Sequence, residues 1–310
     1  MLTSCGRKKT GQPYDIKSFN ESLIFTDDES GVRLKGFSDE LCVPYTESGI
    51  NGEGVNAEAF GLFSVDGCEV ISQKNAFERV YPASTTKIMT CLLALENCSL
   101  TEYVTVPKES EITVSGSSMA DLKPGDRMTM EDMLHALMVP SGNDAAAAIA
   151  VHIGGSLENF AQMMNERALS LGATNTHFAN PHGLPDDDHY TTVYDMYLIF
   201  NEALKNPDFC RISQTSSYEA AFTNSYELTD RRAQWTSGNG FYNGKFTLPD
   251  GLTYTAGKTG HTNAAGYCLV LSEKDTAGND YISIIMKAPS YDDLYGGMIN
   301  LCSKASCENQ

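Results

Sequence analysis

The pattern of apolar and polar positions separates an irregular first stretch from a long, regularly patterned region. Residues 1–55 are rich in glycine, serine and acidic residues and show no regular apolar repeat. This composition predicts a poorly ordered arm or linker, because it offers little apolar surface to bury. From residue 56 to residue 305 no second linker interrupts the pattern. We therefore expect one domain there and no separate C-terminal β-domain.

Extended segments are predicted near both ends of this domain. The stretch AFGLFSVDGCEVISQ has two apolar runs on either side of Asp66-Gly67, a pair typical of a two-residue hairpin turn. Three further apolar runs, LTYTAGKTG, AAGYCLVLSE and DYISIIMKA, are joined by short segments containing glycine. A last helix is expected from Asp292.

The middle of the chain has the periodicity of helices. The predicted helices are a buried one beginning near Ser84, one ending near Pro140, an alanine-rich one after Asn143, one between Ser156 as N-cap and Gly172, and one from Tyr194 to Leu204. Helices inserted between terminal strands predict an α/β (α+β) fold, in which an antiparallel β-sheet is flanked by helices and carries a mainly helical lobe. A cleft is expected where lobe and sheet meet.

The charge and the cysteines narrow the range of partners. A formal net charge of −18 argues against nucleic acid, whose phosphates require a positive surface. Nine cysteines show no C-x-x-C pair and no zinc-ligand spacing. Because Cys91, Cys98 and Cys268 lie in apolar runs, we interpret them as core residues.

The first residues resemble a bacterial lipoprotein cleavage site. Leu2-Thr3-Ser4-Cys5-Gly6 has this form, although the apolar segment that should precede it is missing. One interpretation makes Cys5 a lipid anchor that tethers the protein to a membrane. The other is a chance match in a flexible tail.

Three short motifs occur in the order Ser84-Thr-Thr-Lys87, Ser141-Gly-Asn143 and Lys258-Thr259-Gly260. Positions three apart on a helix share a face, so Lys87 can reach the hydroxyl of Ser84. Serine becomes nucleophilic when a base takes its proton, and lysine can be that base if burial or a nearby cation lowers its pKa. Lys258 is a candidate for that cation.

Two of the motifs occur a second time. Lys9-Thr10-Gly11 lies in the predicted arm, and Ser237-Gly238-Asn239 lies in a predicted loop. Lys258 ends an extended run and Ser141 lies between two helices, so both have a rigid support. We therefore favour the copies at Ser141 and Lys258, with Ser237 as the alternative.

The motifs and their flanks resemble a known family. The order S-x-x-K, S-x-N, K-T-G is that of the penicillin-recognising serine enzymes. The segments YPASTTKIMT, MLHALMVPSGNDAAAAIA, NPHGLPDDDHYTTVYDM and GKTGHTNAAGYCLV are similar to those of the D-alanyl-D-alanine carboxypeptidases, the low-molecular-mass penicillin-binding proteins of serine peptidase family S11. The resemblance runs from about residue 57 to about residue 288 and implies a β-lactamase/transpeptidase-like fold.

The resemblance also implies a role for each motif residue. Ser84 would be the acylated nucleophile and Lys87 its base, while Ser141 and Asn143 would pass a proton to the leaving group and hold the substrate amide. Lys258 and Thr259 would bind the terminal carboxylate, Gly260 and His261 would also belong to the substrate-binding residues, and the backbone N–H groups of Ser84 and His261 would form the oxyanion hole. The implied substrate is a peptidoglycan stem peptide ending in D-Ala-D-Ala, with β-lactam antibiotics as covalent inhibitors, no cofactor, and an extracytoplasmic location.

Three alternatives stay open. A β-lactamase of the same superfamily would need a glutamate to hold water, but Glu158 and Glu166 fall on the polar face of their helix. A metallohydrolase would use the cluster His177, His182, Asp186, Asp188 and His189, which lacks any recognised ligand spacing. A non-catalytic binding module would not need the intact motifs. The sequence leaves open whether an amine replaces water, as in a transpeptidase.

Overall fold

The computed structural model describes residues 40–44 and 52–307. Cys5 and Lys9-Thr10-Gly11 lie outside the described residues, as does most of the predicted arm at residues 1–55. Within the described part of that arm, Cys42 is fully buried and its backbone N–H donates to the hydroxyl of Tyr197. This short segment therefore packs against the domain core.

Five antiparallel strands form the main sheet of the described residues, in the order β2-β1-β9-β8-β7. These strands are β1 (Ala59–Ser64), β2 (Glu69–Lys74), β7 (Thr253–Thr262), β8 (Gly266–Lys274) and β9 (Asp280–Ala288). Leu62 is paired with Ser283, and Val270 with Ile284, so the N-terminal hairpin joins the C-terminal strands directly. The predicted sheet, completed by the first hairpin, is confirmed.

The turn of that first hairpin is centred on Asp66-Gly67, as predicted, but the strand pairing ends one residue earlier on each side. Ser64 and Glu69 form the last pair, so four residues connect the strands instead of two. Asp66 and Gly67 are the central residues of this turn, in which the N–H of Cys68 donates to the carbonyl of Val65, and the Asp66 carboxylate accepts a hydrogen bond from the backbone N–H of Asp280. The sequence could not show this contact with the neighbouring β8–β9 hairpin.

Seven α-helices lie within the described residues. They are α1 (Lys87–Asn97), α2 (Met130–Met138), α3 (Asn143–Gly154), α4 (Leu157–Ser170), α5 (Val193–Leu204), α6 (Pro207–Ser213) and α7 (Tyr291–Cys307). The predicted helices are confirmed, including Ser156, whose side chain accepts from the N–H of Asn159 at the start of α4. The sequence analysis missed α6, which is only seven residues long.

A second sheet was not predicted. Within the described residues it has four antiparallel strands: β3 (Tyr103–Thr105), β4 (Asp126–Thr129), β5 (Ser217–Asn224) and β6 (Thr229–Thr236). Two of these strands have only three and four residues, too few to show an alternating pattern. The inserted lobe therefore combines helices with a small sheet.

The core consists of two apolar clusters on opposite faces of the main sheet. Alternate residues of one strand belong to different clusters: Val270 packs with the helical lobe, while Leu269 and Leu271 pack with α7. This is the period of two that a sheet covered on both faces requires. Cys91 and Cys268 are buried as predicted, whereas Cys98 is only partly buried.

Candidate active site

The first motif lies in a tight turn. Residues Ala83–Thr86 form a 3₁₀ turn immediately before α1, and the hydroxyls of Thr85 and Thr86 donate to the carbonyls of Pro82 and Ala83. Ala83 has a φ of 49°, a conformation uncommon for a residue other than glycine. These bonds hold the backbone next to Ser84 in a strained geometry, which is characteristic of functional sites.

Lys87 is the first residue of α1 and is fully buried. Its Nζ lies 3.0 Å from Ser84 Oγ, 2.6 Å from Asn143 Oδ1 and 2.8 Å from the carbonyl oxygen of His182. The serine–lysine contact predicted from the spacing of three is therefore present. These three oxygens surround the amine at hydrogen-bond distance.

Burial makes the Lys87 amine easy to deprotonate. Loss of hydration lowers its pKa well below the ordinary value for lysine, and the nearby Lys258 cation lowers the pKa further. The Asp144 carboxylate acts in the opposite direction. The lowered pKa favours the uncharged amine, the state that a general base requires.

The second motif forms the turn between α2 and α3. Ser141 has a φ of 64°, and the next residue is glycine because a Cβ there would lie 2.7 Å from the carbonyl oxygen of Ala136. Asn143 starts α3, and its backbone N–H donates to the carbonyl of Ser118. The turn thus directs Asn143 towards Lys87.

The third motif lies on β7, on the other side of the cleft. Lys258 is 4% exposed, and its Nζ donates to Ser141 Oγ and to the carbonyl of Thr259, both at 2.9 Å. Burial lowers the pKa of Lys258 to about 7. Gly260 allows the strand to approach the first motif, because a Cβ there would lie 2.8 Å from the backbone nitrogen of Ser84.

A cleft of about 290 Å³ joins the three motifs. Its lining includes Ser84, Ser141, Lys258, Thr259, Gly260 and His261, all of them predicted site residues. Among the described residues that line it, Lys258 is the only lysine or arginine and no aspartate or glutamate is present. Although the chain has a net charge of −18, the lining of the cleft has a positive side chain and no negative one, which favours an anionic ligand.

Comparison with known proteins agrees with this geometry. The sequence profile of the D-alanyl-D-alanine carboxypeptidases, peptidase family S11, matches residues 47–290. The chain belongs to this family.

Relatives within the family are about a third identical to the chain over the aligned residues. The D-alanyl-D-alanine carboxypeptidase DacF of Bacillus subtilis is 38% identical over 224 residues, which is 70% of this chain and 54% of the relative. DacC of Escherichia coli is 34% identical over 236 residues, covering 73% of this chain and 55% of the relative. The chain therefore spans little more than half the length of these relatives.

Solved structures confirm the fold of the family. The Streptomyces K15 DD-transpeptidase superposes with a TM-score of 0.76 at 27% identity, covering 83% of this chain and all of that one. The carboxypeptidase DacD of Francisella tularensis gives a TM-score of 0.70 at 25% identity, over 91% of this chain and 76% of that one. The predicted transpeptidase-like fold is therefore confirmed.

The sequence analysis missed Asp144, a buried residue that follows the second motif and helps to fix its position. Its fully buried carboxylate accepts hydrogen bonds from the backbone N–H groups of Ala120, Leu122 and Ala145. Burial raises the pKa of this carboxyl, and the three N–H groups offset only part of that increase. Asp144 thus ties the start of α3 to the segment that also carries Ser118.

Two buried histidines near Lys87, His182 and His189, were considered in the sequence analysis as members of the candidate metal cluster. His189 Nε2 lies 2.8 Å from Thr86 Oγ1, and its Nδ1 accepts from the N–H of Ala179, which fixes the ring as a neutral imidazole. Burial lowers the pKa of His189 to about 4 and that of His182 to about 3. Both rings are therefore uncharged; the His189 ring contacts the first motif at Thr86, and His182 contacts it through its backbone carbonyl.

The second copy of the serine–glycine–asparagine motif also lines the cleft, which the sequence analysis did not expect of a loop. Ser237, Gly238 and Asn239 all contribute to the lining. Asn239 is held by the hydroxyls of Tyr254 and Tyr295. Ser141, however, is the copy that contacts Lys258, which agrees with the preference stated from the sequence.

The histidine–aspartate cluster considered for a metallohydrolase does not form a metal site. Among the described residues, its members do not bring three ligand atoms together. His182 and His189 face the first motif, while the Nδ1 of His177 contacts the carbonyl of Asp188. These residues are close together in the sequence, but the fold does not bring their ligand atoms together.

Proposed function

We propose that the protein is a serine-type D-Ala-D-Ala carboxypeptidase, which removes the terminal D-alanine from peptidoglycan stem peptides through an acyl-enzyme on Ser84. The observation that carries the proposal is the buried contact between Lys87 Nζ and Ser84 Oγ at 3.0 Å. An uncharged amine has two N–H bonds and one lone pair. If Asn143 and His182 accept the two N–H bonds, the lone pair is left for the Ser84 hydroxyl.

Acylation follows from this arrangement. Lys87 takes the proton of Ser84 while Ser84 Oγ forms a bond to the carbonyl carbon of the penultimate D-alanine. The backbone N–H groups of Ser84 and His261 would stabilise the oxyanion. The bond to the terminal D-alanine nitrogen then breaks, and that nitrogen receives a proton through Ser141.

Deacylation reuses the same base. A water molecule gives its proton to Lys87 and attacks the ester, and Ser84 recovers its proton as the peptide leaves. An amine from another stem peptide could take the place of water, which would form a cross-link. The ratio of these outcomes is measured by adding an amine acceptor to the reaction.

The charge of the cleft supports the substrate assignment. The leaving D-alanine carries a carboxylate, and Lys258 with Thr259 and Gly260 would bind it by a charge-assisted hydrogen bond. β-lactams carry a carboxylate at a comparable position, so they would acylate Ser84 in the same way. No step of this reaction calls for a cofactor or a metal ion.

We further propose an extracytoplasmic location, because peptidoglycan is the implied substrate. The domain proposed to act there spans residues 56–305. Cys5 is the candidate for a lipid tether, and it lies outside the described residues. Within those residues, we find no helix that combines the length and the apolar character needed to cross a membrane.

Intact-protein mass spectrometry after incubation with penicillin tests the nucleophile. We expect a covalent increment on the wild type and none on Ser84→Ala, while Ser237→Ala serves as the matched control and keeps the increment. An increment on Ser84→Ala would refute the assignment.

A second measurement separates the carboxypeptidase from the β-lactamase. The proposal is supported if D-alanine is released from a peptide ending in D-Ala-D-Ala and no alanine is released from the matching peptide ending in L-Ala-L-Ala. Fast turnover of penicillin without D-alanine release would favour the β-lactamase. The absence of carboxylates among the described lining residues argues against that outcome, because no glutamate is placed to hold water.

A further inference from the structure

Three side chains with metal-ligating atoms converge on the surface, away from the cleft. Cys98, Glu102 and His152 each place one ligand atom within 4.8 Å of the other two. His152 Nε2 lies 2.8 Å from Glu102 Oε1. No other group of three such residues is found in residues 40–44 and 52–307.

The backbone holds each of these residues in place. Cys98 caps α1, where its N–H donates to the carbonyl of Ala94. Glu102 closes a turn with Ser99, and its carbonyl accepts from the N–H of Met130. His152 lies in the last turn of α3. Only side-chain rotation is therefore needed to adjust the positions of the ligand atoms.

We propose that Cys98, Glu102 and His152 bind a zinc ion. Thiolate, imidazole and carboxylate are ligand types that zinc accepts, and a water molecule would complete the tetrahedral coordination. Calcium and magnesium prefer oxygen ligands only, so the thiol selects against them. The net charge of −18 raises the local concentration of cations of any kind.

The geometry is close to that of a zinc centre. Ligand atoms around a tetrahedral zinc lie about 3.5 Å apart, given bond lengths of about 2.0 to 2.3 Å. The separation of His152 Nε2 and Glu102 Oε1 must therefore widen by several tenths of an ångström. Glu102 can make this movement, because its side chain is 45% exposed, compared with 24% for His152. On binding, the Cys98 thiol releases its proton to solvent and its sulfur bonds to the metal.

The position of the site suggests a structural role. The helices α1 and α3 begin with Lys87 and Asn143 in the cleft, and Cys98 and His152 lie at their opposite ends. Eleven residues of helix separate the cleft from the zinc site, a distance of about 16 Å. Zinc would join the outer ends of the two helices without reaching the substrate.

Metal titration of the full chain tests the site. The protein is freed of metal with a chelator and then titrated with Zn²⁺ by calorimetry and with Co²⁺ by absorption spectroscopy. We expect one metal ion per chain and a thiolate-to-cobalt charge-transfer band. Saturating zinc should raise the melting temperature by about 5 °C, because it binds only the folded state.

Matched variants decide whether these residues are the ligands. Cys98→Ser should remove the charge-transfer band, and His152→Gln or Glu102→Gln should weaken zinc binding at least tenfold. Cys68→Ser and His177→Gln, which alter a cysteine and a histidine elsewhere, should leave binding unchanged. The melting temperature of each variant without metal shows whether it is folded.

Several results would overturn the proposal. They are the absence of zinc binding at micromolar concentrations, a charge-transfer band that persists in Cys98→Ser, and a band that disappears in Cys68→Ser instead. Acylation by penicillin is measured separately on the same variants. Failure of the zinc site would leave that reaction unaffected, so the two proposals are tested independently.

Discussion

Lys87 and Lys258 are both buried at the cleft, but the proposed reaction needs a charge on only one of them. Lys87 must be uncharged to accept a proton, whereas Lys258 must be charged to bind a carboxylate. The cation at Lys258 itself lowers the pKa of Lys87. The charge of Lys258 therefore helps to keep Lys87 in the uncharged state that the reaction requires.

Removal of the Lys87 amine should stop acylation. We expect Lys87→Met to lower the rate constant for the penicillin adduct by about 10²- to 10⁴-fold, the usual contribution of a general base. The control is Lys205→Met, whose side chain is 70% exposed. The measurement is the time course of the adduct by mass spectrometry, and an unchanged rate in Lys87→Met would contradict the proposed role.

The charge of Lys258 should appear in the pH profile. Because burial lowers the pKa of Lys258 to about 7, the free enzyme loses this charge as the pH rises through about 7. We expect kcat/KM for a peptide ending in D-Ala-D-Ala to fall over this range. Lys258→Arg should remove the decline, since arginine stays protonated. A flat profile for the wild type between pH 6 and pH 9 would argue against carboxylate binding by Lys258.

At the level of elements, the cleft depends on close packing between turns. Gly183 has a φ of 88°, and a Cβ at this position would lie 1.8 Å from the carbonyl oxygen of Ala83. The glycine therefore lets the segment after His182 pack directly beneath the 3₁₀ turn. Its backbone freedom and its small size are both needed.

Gly183→Ala should disturb this packing. We expect a loss of stability on the order of 3 kcal/mol and an acylation rate lowered more than tenfold, because the turn carrying Ser84 must move. Gly278→Ala is the control: its φ is 95° but nothing lies within 4 Å of the added Cβ, so only the backbone term of about 1 kcal/mol applies. Denaturant unfolding and the penicillin adduct measure the two effects. Equal losses in both variants would show that the contact with Ala83 is unimportant.

The sequence predicted those elements that have a long, regular pattern. The main sheet and the helices flanking the motifs have such patterns, and each of the three motifs contributes residues to the lining of the cleft. The small second sheet was missed because β3 and β4 are short, and because β4 pairs with β5, where its Asp126 lies opposite Asn224, 98 residues further along the chain. Asp144 was missed for a related reason, since its partners Ala120 and Leu122 belong to an irregular segment.

At the level of the whole molecule, the main sheet separates two apolar cores. One strand of this sheet carries a fully buried carboxyl group. Glu273 on β8 is fully buried, and Ser283 on β9 donates to its Oε1. Its Oε2 has no hydrogen-bond partner among the described residues. Burial raises the pKa of Glu273 to about 7, so the folded state retains a proton that the unfolded state releases.

This carboxyl should make stability depend on pH. The folded pKa lies above the unfolded value of 4.5, so its contribution is complete below about pH 4.5 and is lost as the pH rises through about 7. The total loss is roughly 3 kcal/mol. We expect Glu273→Gln to match the wild type near pH 4.5 and to exceed it at pH 8. Urea unfolding at both pH values measures this, with the exposed Glu219→Gln as control. Equal stability of wild type and Glu273→Gln at pH 8 would contradict the expectation.

The two lysines of the cleft come from different parts of the molecule, Lys87 from the helical lobe and Lys258 from a strand of the main sheet. In a fragment containing the helices alone, water would hydrate Lys87 and its pKa would return to that of an ordinary lysine. Ser84 would then be as unreactive as any surface serine. A fragment containing the sheet alone would keep a cation but no nucleophile. Reactivity towards penicillin would therefore report that the two halves have assembled, and could serve as a folding assay for the intact chain.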